Sequence, residues 1–311
     1  MTEQQDRKVA IITGASRGIG KATAIALAKS GYDIVAAART LETNESQEMS
    51  ESVDASNVQT IPSGSLRDTI AQVEETGQSG LAVRCDLMSQ ADMDMLIDTT
   101  LDKFGSIDVF VNNARYVGPG FKDRFLNTPY EVFEDSVRVN TLAPLYLLTK
   151  IVPLMVEQDG GLILHISSLE GVMESPKIPT GHWTGRTGLS YGVSKAAFNR
   201  IAPGLAKELR EHSISIVNIE PGDVDVERKA VQRGADYDPT NHDSPLAAAL
   251  TCAHIATSRH PMYYSGLTVY APEFAVEHDL IEPNQTAPQR REEWGQPGRI
   301  MPFYSNMVRE R

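Results

Sequence analysis

Short apolar runs recur along this chain, each separated from the next by a longer stretch, usually of helical periodicity, and no other feature restricts the fold as strongly. The runs are KVAIIT (8–13), DIVAAA (33–38), LAVRC (81–85), IDVFVN (107–112), GLILHIS (161–167), ISIVNI (214–219) and LTVYA (267–271). Helical patterns fall near 19–30, 66–77, 90–104, 130–157, 190–211 and 245–258. Strands alternating with helices in this way run parallel and are joined by crossovers. The expected fold is therefore α/β: a single-domain, Rossmann-type doubly wound sheet of about seven mostly parallel strands, with helices on both faces. No internal repeat and no linker between two cores is visible.

Three segments break the rhythm. Residues 40–64 are acidic and polar and read as a mobile surface insertion. Residues 169–189 form a long loop rich in Gly and Pro, and the chain beyond Val276 reads as extended. The two cysteines, Cys85 and Cys252, are too few for a disulfide framework or metal cluster, and Cys85 closes an apolar run, as a buried inert thiol would. No metal ligand set is apparent; His165, His182 and His254 lack ligand spacing and are expected to pack or face solvent. The net charge of −12 argues against nucleic acid or an anionic membrane as partner. The N-terminus lacks the basic end and apolar run of a signal peptide, and no apolar stretch approaches the ~20 residues of a membrane span. A cytoplasmic protein is expected.

The first strand runs directly into TGASRGIG (13–20) and then a helix. Gly14, Gly18 and Gly20 permit a tight turn and close backbone approach, and a helix N-terminus offers free N–H groups to a pyrophosphate. Ser16, Arg17 and Ile19 complete the expected contact set. Sites of this kind that bind NAD usually carry an acid at the end of the second strand, for the ribose diol. Here that position is Ala38 followed by Arg39. With Arg17 it offers two cations to a 2′-phosphate, so NADP(H) is the expected cofactor.

Two tyrosine–lysine pairs share the i, i+4 spacing that places both on one helix face: YLLTK (146–150) and YGVSK (191–195). Ser168 follows the run LILHIS and so sits at the carboxyl edge of a parallel strand, where such sheets bind ligands. Tyr191 opens the next helix and can reach that edge, whereas Tyr146 lies among leucines in a core-packing context. A phenol with an ordinary pKa near ~10 is a poor base at neutral pH. The Lys195 ammonium and an oxidised nicotinamide would both favour phenolate.

With TGASRGIG, CDL (85–87), NNA (112–114), VNT (139–141), ISS (166–168), YGVSK and EPG (220–222) in this order, the chain resembles the compact, single-domain short-chain dehydrogenases/reductases over residues 7–272. The resemblance implies a nicotinamide cofactor, reversible carbonyl/alcohol interconversion and a homodimer or homotetramer. By position it implies Asn140, Ser168, Tyr191 and Lys195 as catalytic residues. Asp86 and Leu87 would contact adenine, Asn113 and Ala114 would lie beside the cofactor ribose, and Pro221 and Gly222 would flank the nicotinamide. Pro144 cannot bond the carbonyl of Asn140, which either frees that carbonyl for a proton-relay water or merely bends the helix.

Some positions depart from the pattern. Arg115 replaces the usual glycine after NNA, to contact substrate or pair with a surface acid. Val226 stands where a threonine often binds the carboxamide, and the last strand ends in YAPEF. Residues 1–275 are read as the dinucleotide-binding and catalytic domain, with 224–258 as a substrate lid and 276–311 as an extension. Trp183, Met173 and Ile178 would line the substrate pocket, or else pack against the 224–258 lid or a second subunit. The expected activity is NADP(H)-dependent reduction or oxidation of a small to medium, fairly apolar carbonyl or alcohol. A non-catalytic NADP(H) sensor or scaffold is the alternative.

Overall fold

The computed structural model describes residues 7–42, 47–50, 52–53, 59–61, 64–121, 123–172, 188–227, 238, 240 and 242–286. Seven parallel strands form one sheet: β1 (Val9–Thr13), β2 (Asp33–Ala38), β5 (Gly80–Arg84), β6 (Val109–Asn112), β7 (Gly161–Ile166), β8 (Ile214–Glu220) and β9 (Thr268–Tyr270). Their order is β5-β2-β1-β6-β7-β8-β9. The chain winds outward one way from β1 through β2 to β5, then returns to build the other half from β6. That reversal opens a crevice at the carboxyl ends of β1 and β6, where an open α/β sheet binds its ligand.

Strand residues alternate between two cores. Ile12, Val111 and Leu164 join Leu27 of helix α1 (Gly18–Lys29), Leu66 of α2 (Leu66–Glu74) and Cys252 of α8 (Pro245–Thr257) on one face. Ile11, Phe110 and Ile163 face Leu96 of α3 (Gln90–Phe104) and Leu147 and Ile151 of α5 (Ala143–Glu157) on the other. Burial on both faces explains why these strands read as continuous apolar runs. Helix ends follow their local signals. The Ser65 and Ser89 hydroxyls accept from the Asp68 and Asp92 amides, and Gly105 closes α3 at φ 81°.

Several sequence expectations need correction. The 130–157 helix has three parts: α4 (Tyr130–Val137), a π-helical turn (Arg138–Leu142) and α5. As one helical run it is long and apolar enough to cross a membrane, contrary to the reading that no stretch approaches a span. Half of its most apolar window is buried, with Ala143, Leu147, Leu148, Ile151 and Met155 packed in the core, as in a core helix. The 190–211 helix divides at Arg200 into α6 (Leu189–Asn199) and α7 (Ile201–Arg210). The 40–64 segment is not simply irregular: β3 (Gln47–Met49) pairs antiparallel with β4 (Gln59–Ile61). Its Ser52 hydroxyl and Val53 amide donate to the buried Asp123 carboxylate at 2.6 and 2.8 Å. The last strand stops at Tyr270, and Ala271 begins helix α9 (Ala271–Glu277). Of the 224–258 stretch, α8 packs against α1. Met173, Ile178, His182 and Trp183 lie outside the described residues, as does the tail beyond residue 286.

Candidate active site

The glycine turn is fastened from the neighbouring strand. The Asn113 amide donates to the Thr13 carbonyl at 2.7 Å and the Gly14 carbonyl at 3.2 Å, while the Thr13 hydroxyl accepts from the Asn113 and Ala114 amides, each at 3.1 Å. Asn113 therefore spends its side chain shaping the turn, and the tight approach explains the glycines. A Cβ on Gly14 would lie 2.8 Å from Asn113 Nδ2, and Gly14 adopts φ 69°, a region that favours glycine. Helix α1 begins with no side-chain cap and no acid in its first turn, leaving its N–H groups to an anion. Val226 lies over this turn, with Cγ1 3.2 Å from where a Gly18 Cβ would stand.

Both predicted arginines reach the same end of the crevice. Burial lowers the Arg17 pKa, Glu227 opposes the shift, and the charges of Arg115 and Arg39 reinforce it. Arg39 is exposed just beyond β2. Glu227 was not foreseen, because it belongs to a loop whose path over α1 no local pattern reveals. Asp86 Oδ1 accepts from the Met88 amide at 3.0 Å and Leu87 is buried, so the CDL segment forms a fixed turn at the end of β5.

Substituting Gly20 tests how far this turn depends on its close approach. A Cβ there would collide with Asn113 Nδ2 and the Gly14 carbonyl, neither the far end of a long flexible side chain. Gly20→Ala is expected to destabilise the fold by ~1–3 kcal/mol, the usual cost of overpacking. It should also weaken nicotinamide-dinucleotide affinity. Thermal unfolding and cofactor titration check both, and an unchanged melting temperature would refute the collision.

The four predicted catalytic residues meet beyond the ends of β6 and β7. Lys195 is buried, and its Nζ donates to the Ile166 carbonyl at 2.8 Å and lies 4.5 Å from the Phe198 ring centre. Ser168 follows β7; its hydroxyl accepts from the Glu170 amide at 3.3 Å and its carbonyl from Asn199 Nδ2 at 2.8 Å. Tyr191, in the first turn of α6, faces Ser168. Asn140 sits in the π turn, where the Ala143 amide reaches back to the Arg138 carbonyl. Its Oδ1 accepts from the Tyr116 amide at 2.6 Å, and its Nδ2 donates to Ser194 Oγ at 2.9 Å and Ser136 Oγ at 3.4 Å. The Asn140 side chain thus joins the β6 loop, α4 and α6. Its carbonyl has no i+4 donor, because residue 144 is proline.

The electrostatics are those of a site that joins wholly and partly buried groups of both charges. Burial raises the Tyr191 pKa; Arg115 and then Ser168 oppose the rise, and Glu220 and Glu170 add to it. Burial, then the charge of Arg115, pushes Lys195 down to about 7, against the pull of Glu220. Glu220 is itself pushed up to about 8 by burial, opposed by the Gly222 amide, Lys195, Ser167 and the Leu169 amide. Its Oε1 accepts from Gly222 at 3.3 Å and its Oε2 from the Ser167 hydroxyl at 3.4 Å. One carboxyl group therefore ties the segment carrying Ser168 to the Pro221–Gly222 loop. Glu220 is the acid of the EPG motif and lies outside the expected set of site residues. The available signal was an acid ending the wholly buried strand ISIVNIE.

The second tyrosine–lysine pair lies elsewhere. Tyr146 donates to the Asp94 carboxylate, with both oxygens within 2.9 Å, and the exposed Lys150 Nζ is 3.5 Å from Asp94. Its ring packs on the core as expected, but its hydroxyl belongs to a surface link between α3 and α5. Cys85 and Cys252 are buried, unpaired thiols pushed up to about 12 by burial first. His165 is fully buried, stacked on Phe198 at 4.7 Å and pushed down to about 3 by burial; His254 packs edge-on to Phe274. No three His, Cys, Asp or Glu side chains among the described residues form a metal-binding group.

Known proteins match this chain over most of its length. The short chain dehydrogenase family profile matches residues 8–63 and 58–236. A 3-oxoacyl-[acyl-carrier-protein] reductase from Synechocystis sp. is 31% identical over 269 residues, covering 84% of this chain and 94% of that protein. The 7alpha-hydroxysteroid dehydrogenase of Escherichia coli K12 is 28% identical over 217 residues, covering 70% of this chain and 71% of that protein. Among solved structures, a putative short-chain alcohol dehydrogenase from Sinorhizobium meliloti superposes with a TM-score of 0.68 at 22% identity, covering 85% of this chain and 94% of that one. With its glycine turn fastened by Asn113 and its serine, tyrosine and lysine gathered at the edge of β7, the chain belongs to the short-chain dehydrogenase family.

Proposed function

We propose that this protein is an NADP(H)-dependent oxidoreductase that interconverts a carbonyl and a secondary alcohol on a small to medium, fairly apolar substrate. The observation that carries this reading is the meeting of Ser168, Tyr191 and Lys195 beyond β7, on the same sheet edge as the glycine turn. The cradle fits a dinucleotide: the α1 N-terminus is uncapped, the turn is held open by glycines, and Arg17 and Arg39 act on each other at its rim. A bound nicotinamide supplies the hydride-transfer chemistry that no side chain provides.

The side chains handle the proton. In reduction Tyr191 gives its phenolic proton to the carbonyl oxygen, and in oxidation it takes that proton back. The Ser168 hydroxyl donates a hydrogen bond to the oxygen as negative charge develops there. Lys195, fixed on the Ile166 carbonyl, binds ribose hydroxyls and supplies positive charge beside the phenol. Asn140 orients this group through Ser194, and its carbonyl is available to a relay water. Asp86, Leu87, Pro221 and Gly222 bound the cofactor's two ends. The working form is a cytoplasmic homodimer or homotetramer; two buried, unpaired thiols suit a reducing compartment.

Screening NADPH and NADH consumption, and the reverse reaction, over a broad ketone, quinone, ketoacyl thioester, steroid and alcohol panel tests the activity. Cofactor binding without turnover on any member would favour the sensor reading. Arg39→Asp tests the cofactor choice. Each charge-assisted contact to a 2′-phosphate contributes ~1.5–3 kcal/mol, so the NADPH/NADH ratio of kcat/KM should fall at least about tenfold. An unchanged ratio would remove Arg39 from the site.

A further inference from the structure

Arg115 occupies a position where charge matters to the chemistry. Its Cζ lies 4.5 Å from the Phe121 ring centre and 5.6 Å from the Tyr191 ring centre, and Phe121 meets Tyr191 edge-on at 5.0 Å. Every support of this trio is itself anchored. Arg115 Nη1 donates to the Tyr116 carbonyl at 2.9 Å, and the Tyr116 amide is held by Asn140. The Phe121 carbonyl accepts from the Gly188 amide, and the Ser190 hydroxyl donates to the Gly120 carbonyl at 3.1 Å, which docks this loop on the start of the Tyr191 helix. The guanidinium is therefore placed against the phenol by the same loop that frames the site.

We propose that Arg115 is a positioning residue for proton transfer, a second cation clamped on Phe121 that acts through Tyr191 by stabilising its phenolate. The inference rests on the reading of Tyr191 as proton donor and acceptor. The charged groups acting on the phenol come from three elements: Arg115 after β6, Glu170 after β7 and Glu220 at the end of β8; Lys195 lies one turn further along the helix of Tyr191 itself. The two acids and burial resist ionisation, and Arg115 opposes them. Reduction leaves Tyr191 as phenolate once its proton has passed to the carbonyl oxygen, and oxidation requires phenolate at the start. A cation at this range favours the ionised form in both directions.

The test follows Tyr191 itself, so it needs no substrate. In protein labelled with 13Cζ-tyrosine, the Tyr191 resonance is identified by its loss in Tyr191→Phe and titrated with pH. Arg115→Gln should raise the Tyr191 pKa by about one unit or more, the effect of removing an opposite charge at 4–6 Å. Arg115→Lys, which keeps the charge but not the planar stack, should recover part of the shift. Phe121→Leu loosens the clamp without touching the charge and should raise the pKa by a smaller amount; it carries the test if Arg115→Gln does not fold. An unchanged Tyr191 titration in Arg115→Gln, or in Phe121→Leu where that variant stands in, overturns the proposal. Once a turnover substrate is found, the acid limb of kcat for alcohol oxidation, where protonation of Tyr191 removes the base, should move with the resonance. Absence of turnover in wild type, with the Arg115 dependence of the resonance intact, would count against the oxidoreductase reading and leave the electrostatic role of Arg115 standing.

Discussion

Tyr191→Phe is expected to lower turnover at least ~10²-fold, the lower range for loss of a general acid. The substitution keeps the ring, and with it the edge-on contact to Phe121, and removes only the oxygen that faces Ser168. Folding and cofactor affinity should change little, so the loss should appear in kcat rather than in dinucleotide titration. Tyr146→Phe is the matched control, because its lysine lies at the same spacing but its hydroxyl binds Asp94 on the far side of α5. That variant should retain its rate and lose little stability, as for an exposed, solvent-screened link of this kind. Steady-state kinetics and thermal unfolding of the two variants side by side check the assignment. Near-full activity in Tyr191→Phe would show that the proton travels by another group.

The difference between the two pairs also shows what the sequence made legible. The strands themselves follow from periodicities set by local backbone geometry, and the glycine turn and the edge carrying Ser168 from their places at strand ends, so seven strands and their approximate limits were readable. The break at Arg200 and the π turn at Arg138–Leu142 were not, because amphipathic periodicity runs through both without interruption. Non-local electrostatics stayed equally hidden. Glu220 meets Ser167 across 53 positions and Asp123 meets Ser52 across 71, separations at which composition carries no partner information. Arg115 was conspicuous as a departure from the family pattern. Its position against Phe121 and Tyr191 depended on the docking of the 118–121 loop onto Gly188 and Ser190, which only the folded chain shows.

Lys195→Met is expected to separate activity from stability in opposite directions. The ammonium is almost wholly buried and donates to the Ile166 carbonyl, and burial brings its pKa down from 10.5 to about 7. Between those values the unfolded chain holds a proton that the folded chain does not, so this group's contribution to stability rises with pH. Read downward, its penalty is absent above pH 10.5, grows as pH falls, and is complete below about 7. Methionine fills similar space without a charge to desolvate, and replacing buried charge by apolar volume is often neutral or stabilising by ~1–4 kcal/mol. The variant should therefore match or exceed wild-type stability at pH 6, with the advantage shrinking toward pH 9.5. Glu220 limits the gain near neutrality, because it loses its cationic neighbour; being raised to about 8, it is largely protonated at pH 6 and least affected there. Turnover should nevertheless fall at least ~10²-fold, since the phenol loses a neighbouring cation and the cofactor its ribose partner. Calorimetric melting at pH 6 and pH 9.5, paired with kcat at saturating cofactor, measures both arms. A variant that is less stable at both pH values and still active would mean that Lys195 is held in place for packing, with the hydrogen bond to Ile166 as its purpose.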